Sequence, residues 1–194
     1  MRFEEIKAKL SQYKVGIAGC GGLGSNCAQM LVRTGITKLV IADFDVVSES
    51  NLNRQFFFAD QIGRKKVNAL KENLSRISPV IEIETHSVYL TPDIVKEIYV
   101  SCDAIVEAFD NKENKWMLIE TVEKYFPDKL LVSASGLAGL NKIEQMKIVR
   151  NGLLVMVGDF EEEVSDDNPP LAPKVMMAAA LEAAEVINYL LNKP

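Results

Sequence analysis

A short polar stretch, Asp43–Gln55, carries the residue types that bind a nucleotide. It directly follows an apolar run, Leu39–Ala42, and it brings Asn51, Arg54 and Gln55 close together in the chain. A carboxylate such as that of Asp43 accepts hydrogen bonds from ribose hydroxyls, whereas amide and guanidinium groups donate hydrogen bonds to phosphate oxygens. Taken alone, the stretch is equally typical of a nucleotide site and of a solvated loop after a strand.

A glycine-rich turn precedes this stretch and favours the nucleotide site. The segment Gly19–Gly24 fits G-x-G-x-x-G and lies between a predicted strand, Lys14–Gly19, and a predicted helix, Leu23–Arg33. Glycines let the backbone approach a phosphate closely, and the N-terminus of the following helix supplies partial positive charge. A second predicted strand, Thr37–Ala42, leads directly to Asp43, which suits an acid on the ribose. The glycines predicted to line the site are Gly19, Gly21, Gly22 and Gly24.

The glycine turn is not a P-loop, because Ser25 and Asn26 stand where a lysine and a serine or threonine are required. A triphosphate would therefore need cations from elsewhere in the chain. Arg54 and Lys66 are the candidates, and Lys66 lies near the start of a predicted helix, Arg64–Ile77. Without that context, an exposed helical lysine is the simpler interpretation of Lys66.

Strands and helices alternate along the chain, which predicts an α/β, Rossmann-like fold. We expect one domain over residues 1–194, with a mostly parallel sheet, helices on both faces and antiparallel strands added at the C-terminal end. The Phe56–Phe58 run predicts a packed loop or a subunit contact. The other predicted elements are helices at 3–12, Thr91–Val100 and Lys112–Tyr125, strands at Val80–His86, Ala104–Val106 and Lys129–Ser135, a hairpin of Lys142–Val149 with Leu153–Val157, an acidic loop Asp159–Pro173 and a last helix to about Asn192.

Composition limits the classes of function. Of 194 residues, 48% are hydrophobic and 25% charged, as in ordinary globular proteins, and the net charge of −5 disfavours nucleic-acid or membrane surfaces. No apolar run approaches the roughly 18 residues of a membrane span, and the N-terminus lacks the apolar core of a signal peptide, so we expect a cytoplasmic protein. Cys20, Cys27 and Cys102 form no C-x-x-C pair and His86 is the single histidine, so structural zinc is not expected.

Four motifs together resemble a known family. GCGGLGS, DFDVVSESNLNRQ, IGRKK and the AFDN of Ala108–Asn111 occur in the order and spacing of the ThiF/MoeB/HesA family, the bacterial relatives of ubiquitin-activating enzymes. The later pattern of a small-residue loop, a hairpin, a long loop and an alanine-rich last helix extends the resemblance to almost the whole chain. The short form, without zinc-binding cysteine pairs, is most similar to a ThiF-type subgroup associated with thiamine biosynthesis.

The resemblance implies ATP-dependent adenylation, with release of pyrophosphate, of the C-terminal glycine carboxylate of a small ubiquitin-fold sulfur carrier. It implies a ThiS-like carrier ending in Gly-Gly, a homodimer and a separate sulfur donor, because the Asp159–Pro173 loop has no cysteine. It assigns Asp43 to the ribose, Asp45 to the nucleotide site, Asn51, Arg54, Gln55 and Lys66 to the phosphates, and Asp110 to Mg²⁺, with Arg54, Lys66 and Asp110 as the catalytic set.

Two further features bear on this interpretation. In the family an arginine on an N-terminal helix of the partner subunit completes the ATP site, and Arg2 is the single arginine in that region of this chain. Cys20, Cys27 and Cys102 are expected to be small packed residues rather than nucleophiles, and Cys20 is the one whose place in the glycine turn would allow exposure.

The alternatives fall into different classes. A MoaD-like carrier in molybdopterin synthesis and an ATP-dependent tRNA-modifying dehydratase are both consistent with the family resemblance. The glycine turn and Asp43 also allow an NAD-dependent oxidoreductase, although His86 is predicted to face away from the apolar side of its strand. A non-catalytic module that binds the carrier would need no complete set of phosphate-binding charges.

Overall fold

Seven strands form one sheet in the order β3-β2-β1-β4-β5-β7-β6. The computed structural model describes residues 1–193. The strands are β1 (Lys14–Ala18), β2 (Lys38–Ala42), β3 (Glu82–His86), β4 (Ala104–Glu107), β5 (Leu130–Ser135), β6 (Lys147–Asn151) and β7 (Leu154–Gly158). The helices are α1 (Phe3–Leu10), α2 (Gly22–Thr34), α3 (Lys66–Ile77), α4 (Pro92–Ile98), α5 (Lys112–Tyr125) and α6 (Ala172–Asn192).

All strand pairs are parallel except β6 with β7, so the predicted Rossmann-like α/β fold is confirmed. The central strands are short apolar runs because both faces of the sheet are covered by helices. Residues such as Ile17 and Ile41 pack toward α1, α2, α3 and α6, whereas Ala18 and Val40 pack toward α4 and α5. The parallel arrangement places the carboxyl ends of β1, β2, β4, β5 and β7 at one edge of the sheet.

The predicted hairpin is correct in its turn but wrong in its first strand. The prediction began that strand at Lys142, whereas β6 begins at Lys147. Lys142 has a positive φ of 57° and Ile143–Gln145 form a single 3-10 turn, so the ladder with β7 starts only at the Lys147–Gly158 pair. The apolar and polar residues between Lys142 and Lys147 resemble those of a strand, but Ile143–Gln145 form a short 3-10 turn. β7 itself runs parallel to β5, which leaves β6 as the antiparallel edge strand.

Helix α6 is long and apolar enough, by length and composition, to cross a membrane, although Lys174, Glu182 and Glu185 interrupt its apolar run. It packs as a core helix, chiefly against α2 and also against β5. Its small residues Ala178, Ala179 and Ala183 are buried in that contact within the chain. They therefore explain the close packing of α6 against α2, and their burial needs no second subunit.

Candidate functional site

The glycine turn lies at the carboxyl end of β1 and leads directly into α2. Gly19 has a φ of 99°, a conformation that residues with a side chain rarely adopt, and its N–H donates to the Ala42 carbonyl at 2.8 Å. A Cβ added to Gly24 would lie 1.9 Å from the Gly19 carbonyl oxygen, so glycine there permits the close approach of helix and turn. The N-terminus of α2 consequently faces the carboxyl edge of the sheet, where it can receive an anion.

Asp43 is fixed by the backbone on both sides of this edge. One carboxylate oxygen accepts the Cys20 N–H at 2.7 Å, and the other accepts the Asp45 N–H at 2.8 Å. A carboxylate has about four lone-pair positions, so two remain for ribose hydroxyls. The structure thus brings the predicted acid and the glycine turn together. Whether Asp43 holds a ribose stays a prediction.

Cys20 is completely buried, so the expectation that it is a packed residue is confirmed, and its place in the glycine turn does not expose it. Its N–H points to Asp43, whereas its side chain packs in the core. Burial, followed by the nearby Asp43 carboxylate, raises the pKa of the Cys20 thiol well above its usual value. Cys27 and Cys102 are also buried, as expected, and burial raises the pKa of Cys102 to about 12. A nucleophilic thiolate is therefore not available at any of the three positions.

Lys66 is the first residue of α3 and is buried rather than exposed, because it pairs with Asp45. Its Nζ lies 2.9 Å from Asp45 Oδ2, and its backbone N–H donates to the Asp45 carbonyl at 3.0 Å. The Lys66 side chain is 7% exposed, whereas the Asp45 side chain is 47% exposed. One partner of this pair is therefore open to solvent or to a ligand.

Arg54 lies beside the glycine turn. Its Nη1 donates to the Ser50 carbonyl at 3.1 Å and to Asn53 Oδ1 at 2.7 Å, and its Cγ would be 3.6 Å from a Cβ added to Gly22. Both groups that Nη1 contacts lie in the adjoining, solvent-exposed part of the loop. The guanidinium is therefore held near the turn by bonds that a phosphate can replace.

Gln55 and Asn51 have different environments. Gln55 is buried next to Gly21, and its Oε1 has no hydrogen-bond partner among residues 1–193. Asn51 Oδ1 accepts the Ser48 N–H at 3.0 Å, so its amide is partly used in shaping the loop. An amide oxygen is an acceptor and needs a donor such as a hydroxyl or water, so only the Nε2 of Gln55 can donate to a phosphate oxygen.

Ser25 and Asn26 connect the glycine turn to the Arg54 loop, a role that the sequence reasoning missed. Ser25 Oγ donates to the Gly21 carbonyl at 2.6 Å and accepts the Phe56 N–H at 2.9 Å. Asn26 Nδ2 donates to the carbonyls of Gly22 and Arg54 at 2.7 and 2.8 Å. Their polar character within a glycine-led helix was the available signal, since buried serine and asparagine need hydrogen-bond partners.

Asp110 is exposed in the loop between β4 and α5, and the preceding turn is held by a second residue that was missed, Glu107. The buried Glu107 carboxylate accepts the Phe109 N–H at 2.7 Å and the Ser133 hydroxyl at 2.5 Å, and it pairs with Lys115. An acidic residue that ends an otherwise apolar strand was the signal. Asp110 therefore projects from a fixed turn at the same edge as the glycine turn.

The available side chains suit a Mg²⁺ ion that is bound together with a nucleotide better than a metal ion bound by protein side chains alone. Within residues 1–193 no group of three or more histidine, cysteine, aspartate or glutamate residues could hold a metal ion. Mg²⁺ is commonly bound by one or two carboxylates together with substrate phosphates and water. Asp110, exposed after the carboxyl end of β4, fits that mode of binding.

The sequence matches the ThiF family over residues 2–194. This chain belongs to the ThiF family. Ubiquitin-like modifier-activating enzyme 5 of Drosophila melanogaster is 47% identical over 89 residues, which are 46% of this chain and 21% of that protein. The match therefore spans about a fifth of this longer relative.

Solved structures with the same fold include other ThiF-type proteins. The tRNA N6-threonylcarbamoyladenosine dehydratase of Escherichia coli in complex with ATP superposes with a TM-score of 0.86 at 20% identity, covering 97% of this chain and 89% of that one. MccB of Escherichia coli with ATP superposes with a TM-score of 0.73 at 23% identity, covering 95% and 57%. At these identities the likeness establishes the fold alone.

Other predicted features of this ThiF family member divide between core and surface. Phe57 is buried, whereas Phe58 is exposed with its ring edge-on to Phe56 at 5.8 Å, so the aromatic run serves partly as core and partly as surface. Arg2 is highly exposed and hydrogen-bonds Glu5 on its own helix.

Proposed function

We propose that this chain is an adenylyltransferase that uses ATP to activate the C-terminal glycine carboxylate of a small ubiquitin-fold sulfur carrier. The observation that carries the proposal is the open Lys66–Asp45 pair beside a glycine turn that has no P-loop lysine. The lysine that a P-loop would place inside the turn is here provided by another helix. Its partner carboxylate is half solvated, so the ammonium can turn to a phosphate at small cost.

Charge neutralisation is the main requirement of the proposed reaction. A carboxylate that attacks an α-phosphate brings two anions together, so positioning and electrostatic stabilisation provide most of the catalysis. Arg54 and Lys66 neutralise the phosphates, and Asn51 and Gln55 donate hydrogen bonds to them. Asp43 holds the ribose and fixes the nucleotide against the glycine turn. No nucleophilic side chain is needed, which agrees with three buried cysteines.

Asp110 would hold a Mg²⁺ ion, which supplies further positive charge to the phosphates when it is bound. The turn fixed by Glu107 presents the Asp110 carboxylate at the carboxyl edge of β4. This edge is where ligands bind in open α/β sheets. Asp110 is thus proposed as a metal ligand that acts together with the nucleotide.

The proposed substrate is a ThiS-like carrier ending in Gly-Gly, in thiamine biosynthesis. A relative named as a ubiquitin-like modifier-activating enzyme supports a ubiquitin-like substrate. The loop between β7 and α6 contains no cysteine, so sulfur would arrive on a separate protein rather than through a covalent link at that loop. A MoaD-like carrier would use the same chemistry, and we propose a homodimer as the acting form.

A tRNA-modifying dehydratase is the second candidate, favoured by one observation. The chain superposes over 97% of its length on a dehydratase of that class. A net charge of −5 counts against it, because RNA binding depends largely on neutralising phosphates with lysine and arginine.

The decisive experiment mixes purified protein, ATP, Mg²⁺ and candidate carriers, and detects the carrier adenylate by mass spectrometry. We expect ATP–pyrophosphate exchange that requires a carrier ending in Gly-Gly and is lost in Asp110→Ala. If neither a ThiS-like nor a MoaD-like carrier supports exchange, the proposal is rejected. ATP turnover that requires tRNA supports the second candidate. Calorimetry with ATP and NAD separates both from an oxidoreductase, which would bind NAD more tightly.

A further inference from the structure

A completely buried ion pair lies after β7, whereas Lys66 and its partner lie near the carboxyl end of β2, toward the other end of the sheet. Lys174, in the first turn of α6, places its Nζ 2.5 Å from Asp159 Oδ2, and both side chains are 0% exposed. Lys174 Nζ also donates to the carbonyls of Ala138 and Asn141 at 2.8 and 2.9 Å. The other oxygen of Asp159 accepts the N–H groups of the two residues that begin the next loop, Glu161 at 2.8 Å and Glu162 at 3.0 Å.

This Asp159–Lys174 pair joins two loops to one helix end. The loops are 136–141, which follows β5, and 159–170, which follows β7. They also contact each other directly, since the Gly139 N–H donates to the Pro169 carbonyl at 2.9 Å. A Cβ added to Gly136 would lie 2.0 Å from Asp159 Oδ1, so the first loop passes directly against the aspartate.

The same helix end touches the glycine turn. Val175, next to Lys174, places Cγ1 where it would be 2.9 Å from a Cβ added to Gly22. Any shift of the first turn of α6 therefore moves a side chain that packs on the predicted phosphate-binding turn. The pair thus fixes two loops and the glycine turn relative to one another.

The position of the loops limits what they can do. The predicted nucleotide contacts lie at the carboxyl ends of β1, β2 and β4, whereas β5 and β7 continue the same parallel edge on the far side of β4. If the nucleotide occupies the first part of the edge, the carboxylate substrate must approach from the second part. Loops 136–141 and 159–170 border that approach.

An apolar pair would fill the buried space at least as well, because a buried ion pair is often no more stabilising than its hydrophobic replacement. An apolar residue at position 174 would, however, leave the carbonyls of Ala138 and Asn141 without this donor. The charged pair therefore fixes the positions of the two loops through hydrogen bonds to their backbone, in addition to filling the space between them.

We propose that Asp159 and Lys174 are positioning residues that hold loops 136–141 and 159–170 against the glycine turn, so that the carboxylate substrate meets the α-phosphate of ATP in line. The inference rests on the proposed adenylation. It assigns the pair to the second substrate and not to nucleotide binding, which depends on Asp43 and Lys66 at the other end of the edge.

The test uses a neutral double variant, Asp159→Asn/Lys174→Met, which avoids leaving one buried charge without its partner. The amide that replaces the Asp159 carboxylate keeps a side-chain oxygen, which can still accept the two loop N–H groups. The second double variant, Asp159→Asn/Lys174→Gln, is a milder form, because the amide at position 174 can still donate to a loop carbonyl and no charge is left buried alone. The matched control is Arg150→Met/Glu185→Gln, which removes another ion pair of α6, with N–O distances of 2.6 and 2.8 Å, on the β6 side.

We expect faster hydrogen exchange in loops 136–141 and 159–170 of Asp159→Asn/Lys174→Met. The Kd for ATP should change much less than the KM for the carrier, because Val175 touches the glycine turn while the contacts of Asp43 and Lys66 remain. Carrier adenylation should fall on the order of 100-fold, with a raised KM for the carrier, because small misplacements of reacting groups have effects of this size. The control should change neither loop exchange nor adenylation. Asp159→Asn/Lys174→Gln should lie between the wild type and Asp159→Asn/Lys174→Met.

Unchanged exchange in the two loops overturns the inference, and so does faster exchange with unaltered kcat and KM for the carrier. An equal loss of ATP binding also overturns it, because that result would indicate general disruption. If the wild type adenylates no carrier, the proposed function fails, whereas loop exchange still decides whether the pair positions these loops. Should Asp159→Asn/Lys174→Met not fold, the same measurements on Asp159→Asn/Lys174→Gln decide.

Discussion

Lys66 and Lys174 are two buried lysines at the beginnings of helices, and each pairs with an aspartate that follows a strand. They differ in the solvent exposure of that aspartate. The side chain of Asp45 is 47% exposed beside Lys66, whereas Asp159 is 0% exposed beside Lys174. A lysine whose partner is solvated can exchange that partner for a phosphate, while a lysine sealed with its partner cannot do so without leaving a buried charge. The same pair of residue types thus serves a ligand in one place and the fold in another.

The largest expected effect is on stability, at the sealed pair. Lys174→Met leaves the Asp159 carboxylate buried without its cation, which should lower the free energy of unfolding by about 3–5 kcal/mol. Urea unfolding followed by circular dichroism measures the change. Lys66→Met is the matched comparison and should cost much less, because water can solvate Asp45; equal losses would contradict the distinction between the two pairs.

The next effect is on chemistry, at Arg54. Arg54→Ala should lower ATP–pyrophosphate exchange by roughly 10³-fold or more, since an arginine that stabilises a transferring phosphoryl group has effects of this size. Much of the ATP affinity should remain, because Arg54 acts on the phosphates while Asp43 fixes the nucleotide. Asp43→Ala is the counterpart and should weaken ATP binding more than Arg54→Ala does. Calorimetry and exchange assays on both variants check the division.

Lys66→Met should reduce exchange by roughly 10²–10³-fold, the usual effect of removing one stabilising donor. If Lys66 turns from Asp45 to a phosphate, Asp45→Asn should lower exchange much less than Lys66→Met does, because the ammonium of Lys66 remains. A Lys66→Met protein with full exchange activity would show that the open pair is structural, like the sealed one.

The smallest effect is a dependence on pH, at a buried carboxyl of α6 that has no partner. Both carboxyl oxygens of Glu182 lack a hydrogen bond within residues 1–193, and burial, with a further contribution from Glu107, raises its pKa well above 4.5. The folded state therefore retains a proton that the unfolded state releases above about pH 4.5. This contribution to stability is present below that pH and is lost as the pH rises toward the folded pKa.

Glu182→Gln should remove that loss, so the difference in unfolding free energy between variant and wild type should grow in favour of the variant as the pH rises above about 4.5. Asp159 provides the opposite case. Burial opposes its ionisation, but hydrogen bonds from the Glu162 backbone and from Lys174 outweigh burial and lower its pKa. Its contribution is present above its ordinary pKa and is lost in acid. Urea unfolding at several pH values distinguishes the two slopes.

The fold was predictable because its strands are short apolar runs separated by glycines and polar turns. β1 begins at Lys14 and β5 ends at Ser135, as predicted. The proximity of Asp43 to the glycine turn was also predictable, since adjacent parallel strands end at the same edge. The first strand of the hairpin was not, because alternation of apolar residues cannot reveal the positive φ of Lys142.

The polar character of the supporting residues was visible in the sequence, but their partners were not, because each contact joins distant segments of the chain. Ser25 meets Phe56 and Glu107 meets Ser133 across 31 and 26 positions. Lys174 meets Asp159 across 15 positions, in a helix whose other residues are typical of an ordinary core. The burial of Lys66 likewise follows from the fold, since Asp45 reaches it from 21 positions away.

The hydrogen bonds by which Ser25 and Asn26 connect the glycine turn to the Arg54 loop have a consequence for protein engineering. A P-loop would require a lysine and a serine or threonine at these two positions. Ser25→Lys would remove the hydroxyl that accepts the Phe56 N–H, and Asn26→Ser would remove the amide that reaches the Arg54 carbonyl. Installing the P-loop lysine would therefore loosen the loop that carries Arg54. In this scaffold the two ways of supplying positive charge to a triphosphate compete for the same two side chains.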